Sequence, residues 1–261
     1  MFTAYRRWRR QQAAANFEVD DPTWQRVEAT LPFLDFLEPA ERGRLRALTL
    51  EFLADKQMAG ARGLEVDNDM RLAIALQACL PILNLGLDAY DDWVGIVVYP
   101  GDFVVPRNIT DDAGVVHEYE DPVLGEAWQG GPVVISWFDD ANDIDGINVV
   151  LHEFAHKLDM RSGKPDGMPE LPAGMDEREW AREFSDAYAD LCSRVDQSED
   201  SPLDPYATES PAEFFAVMSE AFFETPLLLQ EEYPNVYAQL VRFYRLDPAL
   251  GELRMSEAGH A

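Results

Sequence analysis

The sequence predicts an α+β fold in which helices flank a small central sheet. Three observations carry this prediction. Apolar residues recur at helical spacing toward both ends of the chain. Short Val- and Ile-rich runs, bounded by Gly and Pro, occupy the middle. The two patterns come in blocks and do not alternate, which argues against a repeated βαβ parallel sheet.

Order is expected to begin near Asp21-Pro22-Thr23-Trp24. Pro39 to Ala54 reads as a helix with Leu45, Leu48, Phe52 and Leu53 on one side. Asp69 is a candidate cap for a second helix through Arg71 to Leu83. Gly95 to Pro100 reads as a strand. Phe103–Val105 and Val115–His117 flank the turn-like Asp111-Asp112-Ala113-Gly114, which suggests a hairpin. Val133 to Trp137 is the clearest strand, and it is read as a sheet edge able to pair with an extended peptide. A polar loop follows, from Asp139 to Asp145, before a helical pattern from Ile147 to Asp159.

Arg161 to Gly174 is a Gly/Pro-rich loop. Glu177 to Val195 is a long helix with Trp180, Phe184, Tyr188 and Leu191 in one stripe. After the irregular stretch Asp196 to Glu209, Ser210-Pro211 opens another helix, with proline at the first helical position. Thr225-Pro226 breaks it, and a last helix covers Asn235 to Tyr244. The expected organisation is a basic N-terminal tail over residues 1–20, one catalytic domain over 21–249, and a flexible tail over 250–261.

A chain of 261 residues with 47% hydrophobic content can bury a large core without staples. No apolar run reaches the roughly 18 residues that a membrane span needs. Arg6, Arg7, Arg9 and Arg10 crowd the start, but no apolar segment follows them, so no secretory signal is read. That stretch reads as a floppy basic tail, with weak contact to acidic lipid or nucleic acid as the alternative. Cys79 and Cys192 form no C-x-x-C pair, lie in apolar helical stretches and are expected to be buried, which suits a reducing cytoplasm. The formal net charge of −28 repels phosphates and argues against direct nucleic-acid binding.

The chemistry concentrates in His152-Glu153-Phe154-Ala155-His156. Two histidines four apart on a helix present their imidazoles on one face, where both can reach one ion about 2 Å away. Glu153, one step round, can address a water without itself ligating the metal. Leu151, Phe154 and Leu158 supply the apolar stripe that packs such a helix. His117 and His260 lie in no such pattern and read as ordinary polar residues.

A catalytic zinc needs a third protein ligand and an open fourth position. A metzincin-type histidine would fall at position 162, which is Ser162. A deformylase-type upstream cysteine would have to be Cys79, which lacks the context. A downstream glutamate remains. Glu213 and Glu220, seven apart, share a helix face. Glu213 also completes a Ser210-x-x-Glu213 capping box, so local pattern alone leaves ligand and cap open, with Glu220 as the rival ligand. Asp159 reads either as a group orienting a ligating histidine or as a helix-end charge.

His152-Glu153-Phe154-Ala155-His156-Lys157-Leu158-Asp159, then Tyr206 and Pro211-Ala212-Glu213, resemble the Mlc titration factor A peptidases. Cys79-Leu80-Pro81-Ile82-Leu83, Tyr99-Pro100, Phe103-Val104-Val105, Trp128-Gln129-x-Gly131-Pro132-Val133-Val134 and Phe243-Tyr244 extend the resemblance from Trp24 to Ala249. The Tyr206 to Glu213 stretch is also similar to the catalytic domain of anthrax lethal factor.

The resemblance implies a zincin-like fold with a small mixed sheet among helices. It implies one Zn2+ per chain held by His152, His156 and Glu213, Glu153 as general base, and Tyr206 as stabiliser of the oxyanion. The implied activity is peptide hydrolysis with an aminopeptidase tendency. The implied partners are a peptide substrate and a transcriptional repressor of the Mlc type, through which sugar uptake would be regulated. Two rival classes stand beside the enzyme: a regulatory protein that sequesters a repressor with weak or vestigial peptidase activity, and a metalloprotein whose zinc is structural.

Overall fold

The computed structural model describes residues 19–110, 116–138, 148–199, 201 and 203–258, together with Arg10, Gln12 and Ala14. The expected turn Asp111–Gly114, the loop Asp139–Asp145 and His260 lie outside the described residues. Helices α1 (Asp21–Glu28), α2 (Pro39–Asp55) and α3 (Asn68–Cys79) come first. Each starts where the sequence supplies a cap. Glu38 and Glu41 form a reciprocal capping box on α2, and Asp67 accepts from the Met70 N–H at 2.8 Å on α3. Asp69 is therefore not the cap of α3; its carboxylate pairs with Arg26 at 2.7 Å instead. Helix α3 also stops short of Leu83, because Pro81 cannot donate to a continuing helix.

The sheet holds β1 (Gln57–Gly60), β2 (Gly95–Pro100), β5 (Gly125–Ala127) and β6 (Val133–Trp137), in the spatial order β1-β2-β6-β5. β1 and β6 each run parallel to β2, and β5 is antiparallel to β6, so the sheet is mixed. The three parallel strands were not expected from the blockwise pattern. They arise because α3 carries the chain from β1 back to the start of β2.

Val133–Trp137 is not an edge strand, contrary to expectation. It lies between β2 and β5, with Val133, Val134 and Ile135 all buried. An unbroken apolar run belongs to a strand covered on both faces. The terminal strand on that side is Gly125–Ala127, whose three residues are too short to give a periodic signal; β1 is the other edge. A separate antiparallel pair joins β3 (Phe103–Thr110) to β4 (Val116–Val123), both longer than the expected segments.

Helices α4 (Val149–Asp159), α5 (Glu177–Asp196), α6 (Pro211–Glu224), α7 (Pro226–Glu232), α8 (Pro234–Tyr244) and α9 (Pro248–Ala258) complete the chain. Four of these begin at proline. Residues 250–258, expected in a loose tail, belong to α9; its Gly251 packs so closely that a Cβ there would lie 2.6 Å from the Phe36 Cβ. Arg10 likewise does not behave as part of a floppy tail. It is 9% exposed and pairs with Asp55 at 3.0 Å and Asp88 at 3.1 Å. Cys79 is buried as expected, whereas Cys192 is half-buried.

Helix α4 is the centre of the core. Phe154 on its back packs against Phe52, Tyr90 and Trp93 with ring centroids 5.3–5.8 Å apart. Leu151 and Leu158 are buried beside it. This fixes the rotation of α4, and so fixes which way its two histidines face. No helix among the described residues is long and apolar enough to cross a membrane.

Candidate metal centre

Asn148 caps α4 by accepting from the Leu151 N–H at 2.9 Å. With the helix anchored by its apolar stripe, His152 and His156 bring their Nε2 atoms to 3.1 Å of each other. Helix α6 brings the third group. The Ser210 hydroxyl caps it by accepting from the Glu213 N–H at 3.2 Å. The Glu213 carboxylate does not turn back to complete the capping box; its Oε2 lies 2.9 Å from His152 Nε2 and 3.1 Å from His156 Nε2. The capping box is therefore only half made: Ser210 caps the helix through the Glu213 N–H, while the Glu213 side chain lies against the two histidines.

Glu220 takes a different place from the one weighed for it as a ligand. Its Oε1 accepts from His152 Nδ1 at 2.6 Å, on the side of the ring away from Glu213. Its Oε2 accepts from the Asn148 N–H at 2.8 Å, and the Asn148 amide donates to Glu224 at 2.8 Å. Because a carboxylate accepts, each ring nitrogen of His152 faces an acceptor, Glu220 at Nδ1 and Glu213 at Nε2, which favours the imidazolium; a metal taking the place of the Nε2 proton would leave the Nδ1–H bond to Glu220 intact.

Two imidazole nitrogens and a carboxylate oxygen thus converge, and among the described residues His152, His156 and Glu213 are the group that could hold a metal ion, with ligand atoms within 4.8 Å of one another. Three converging lone pairs repel unless a cation or protons lie between them. The electrostatics agree. Burial opposes charge on His152, but its bonds to Glu213 and Glu220 outweigh that and hold its pKa well above the usual imidazole value. Burial likewise opposes charge on Glu213, yet the two imidazoles hold its carboxyl well below the usual carboxylate range. Both shifts have one cause, the pairing of the imidazoles with the carboxylate.

Zinc fits the donor set. Ligand atoms about 2.0–2.2 Å from a tetrahedral ion stand roughly 3.3–3.6 Å apart. The observed 2.9–3.1 Å differs by a few tenths of an ångström, which small side-chain shifts absorb.

Glu153 is 4% exposed, and burial pushes its carboxyl up to about 7 against the pull of the two imidazoles. Its Oε2 is buried with no hydrogen-bond partner. Gly125 on β5 makes room for this side chain, since a Cβ at 125 would lie 2.3 Å from Glu153 Oε1. Sequence reading did not single out Gly125; a glycine inside a strand was the available signal.

Tyr206 sits in a 3-10 turn, Pro205–Thr208, where Asp204 accepts from its N–H at 2.9 Å. Its ring is half exposed, with its centroid 6.0 Å from that of His152. Asp159 does not orient a histidine. One carboxylate oxygen accepts from the Gly167 N–H at 2.8 Å and the other has no hydrogen-bond partner, so it organises the loop after α4. Ser162, at the position a metzincin gives to histidine, donates to the Asp159 and Met168 carbonyls at 3.0 Å. The side chain of His117 lies outside the described residues.

Residues 5–245 match the family described as glucose-regulated metallo-peptidase M90. The chain is 37% identical over 256 residues to a protein called Mlc titration factor A from Salmonella choleraesuis, covering 96% of this chain and 94% of that one. Relatives of the same name from Salmonella gallinarum and Salmonella typhimurium show the same identity and coverage.

Proposed function

The chain belongs to the glucose-regulated metallo-peptidase M90 family, and on that premise we propose that it is a zinc-dependent peptidase with His152, His156 and Glu213 as ligands. The observation that carries this is the meeting of two Nε2 atoms and one carboxylate oxygen within 3.1 Å, beside a buried glutamate left out of the cluster. Bound there, zinc supplies Lewis-acid polarisation of the scissile carbonyl and acidifies water. Glu153 takes the proton of the attacking water and passes it to the leaving amine. Measuring bound zinc and screening a peptide library with and without chelator tests the reading. Hydrolysis lost to the chelator without unfolding supports it and speaks against a structural zinc. A zinc-loaded chain that cleaves nothing overturns it.

Tyr206 donates a hydrogen bond where oxyanion charge develops. Tyr206→Phe is expected to lower kcat by roughly 10²-fold, the scale of a lost oxyanion donor, while KM changes less. An unaltered kcat at equal zinc content removes Tyr206 from the mechanism.

Glu220 acts on the site through His152. By holding Nδ1–H it fixes the tautomer that offers Nε2 to zinc. Glu220→Ala is expected to weaken zinc binding by roughly 10–100-fold in a chelator competition. A change under twofold shows that His152 needs no such support.

Of the two edge strands, β5, beside Glu153, takes the place expected of β6 as the edge along which an extended peptide would pair. Aminopeptidase-like action and a cytoplasmic setting, which the free cysteines suit, belong to this reading.

A second reading follows from the name of the relatives, Mlc titration factor A. In it the chain binds an Mlc-type repressor, and so influences sugar uptake, with weak or vestigial peptidase activity. The two readings separate in a Glu153→Gln chain: capture of the repressor without turnover shows that binding does not need hydrolysis.

A further inference from the structure

Glu153 and Lys157 are four residues apart and share one face of α4; His152 and His156 share the adjacent one. The segment from Gly125 to Gly131 follows the Glu153/Lys157 face. Gly125 meets the Glu153 side chain, and three residues on the Trp128 carbonyl accepts from Lys157 Nζ at 2.6 Å. The terminal strand and the turn after it therefore run alongside the metal cluster.

That turn is tied down from several sides. Lys157 Nζ also donates to the Gly131 carbonyl at 2.9 Å, and the Gln129 amide donates to the Gly163 carbonyl at 2.9 Å. Within the turn, the Gly131 N–H donates to the Trp128 carbonyl at 2.9 Å and the Trp128 N–H to the Pro132 carbonyl at 3.2 Å. Gly130 adopts a positive φ of 62°, and a Cβ at Gly131 would lie 2.9 Å from the Trp128 Cβ. Lys157 is 2% exposed, and burying an ammonium is costly unless it organises something. What it organises is the backbone under Trp128.

The Trp128 side chain itself is 51% exposed. An indole held in water on a fixed turn is a ready anchor: it offers a large apolar face and loses little freedom on binding. Resting on the peptidase reading, we propose that Trp128 is a specificity-determining residue that receives a large apolar or aromatic side chain of a peptide lying along β5. The exposed face of the indole is itself apolar, which suits a large apolar or aromatic side chain.

The test is the cleavage profile of a peptide library varied around the scissile bond, for the full zinc-loaded chain, Trp128→Ala and Trp128→Phe. Trp128→Ala is expected to lower kcat/KM for Phe-, Tyr- and Leu-containing peptides roughly tenfold, on the scale of a buried aromatic anchor, and to leave Gly- and Ser-containing peptides unchanged. Trp128→Phe is expected to recover most of the loss, and zinc content is expected to stay constant. A uniform fall, no fall, or a selective loss of Lys- and Arg-containing peptides overturns the proposal. Binding of the same peptides to a Glu153→Gln chain with and without Trp128→Ala separates this from failure of the peptidase reading. If the wild type cleaves nothing but apolar peptides still bind in a Trp128-dependent way, Trp128 stands and hydrolysis falls. A flat binding profile, with capture of a protein partner lost instead, overturns the proposal.

Discussion

Glu153→Gln is expected to keep zinc bound and to lower peptide hydrolysis by roughly 10²–10⁴-fold, the range that a general base contributes. The amide matches the carboxylate in size, so it meets the same clearance over Gly125, where a side chain would already collide at 2.3 Å. It cannot accept the water proton. Zinc is retained because Glu153 is not among the three groups that converge. The assignment fails if the variant, with full zinc, hydrolyses the library at the wild-type rate. Loss of both zinc and activity would point elsewhere: a disturbed α4, in which the buried neighbours Phe154 and Leu151 have shifted with it.

The core of this site was legible because helical spacing is a strong constraint. His152 and His156 share a face whatever else the chain does, and the stripe of Leu151, Phe154 and Leu158 packs on the other side of the helix. From local pattern the partner on α6 was legible only as a choice between Glu213 and Glu220; the family resemblance is what named Glu213. Seven residues put both on one face, and sequence does not say that one reaches the Nε2 side of His152 while the other reaches the Nδ1 side. Gly125 was hidden for a related reason. Its role depends on a contact with Glu153 on α4, and its three-residue strand is too short to show a period. The same shortness led Val133–Trp137 to be read as the sheet edge. At the termini, local composition misled: the arginine-rich start gave no sign that Arg10 would meet Asp55 and Asp88, which come from distant parts of the chain.

Glu213→Ala is expected to weaken zinc binding by one to two orders of magnitude or more, since even changes outside the ligand set cost roughly 10–100-fold. Removing the carboxylate leaves two imidazoles, both on one turn of α4, and takes away the anion that favours positive charge at the centre. The structure gives this prediction a control that sequence could not. The Ser210 hydroxyl caps α6 through the Glu213 backbone N–H, which alanine retains. Helix α6 should therefore stay formed in Glu213→Ala, and the thermal midpoint of the metal-free chain should move little. Ser210→Ala is expected to do the reverse, costing about 1 kcal/mol of stability through the lost cap while zinc affinity holds. Metal titrations and melting curves of the two variants side by side decide the matter. If Glu213→Ala binds zinc as tightly as the wild type and loses only stability, the carboxylate is part of the helix end, and the convergence of its oxygen with two imidazole nitrogens has no bearing on a metal.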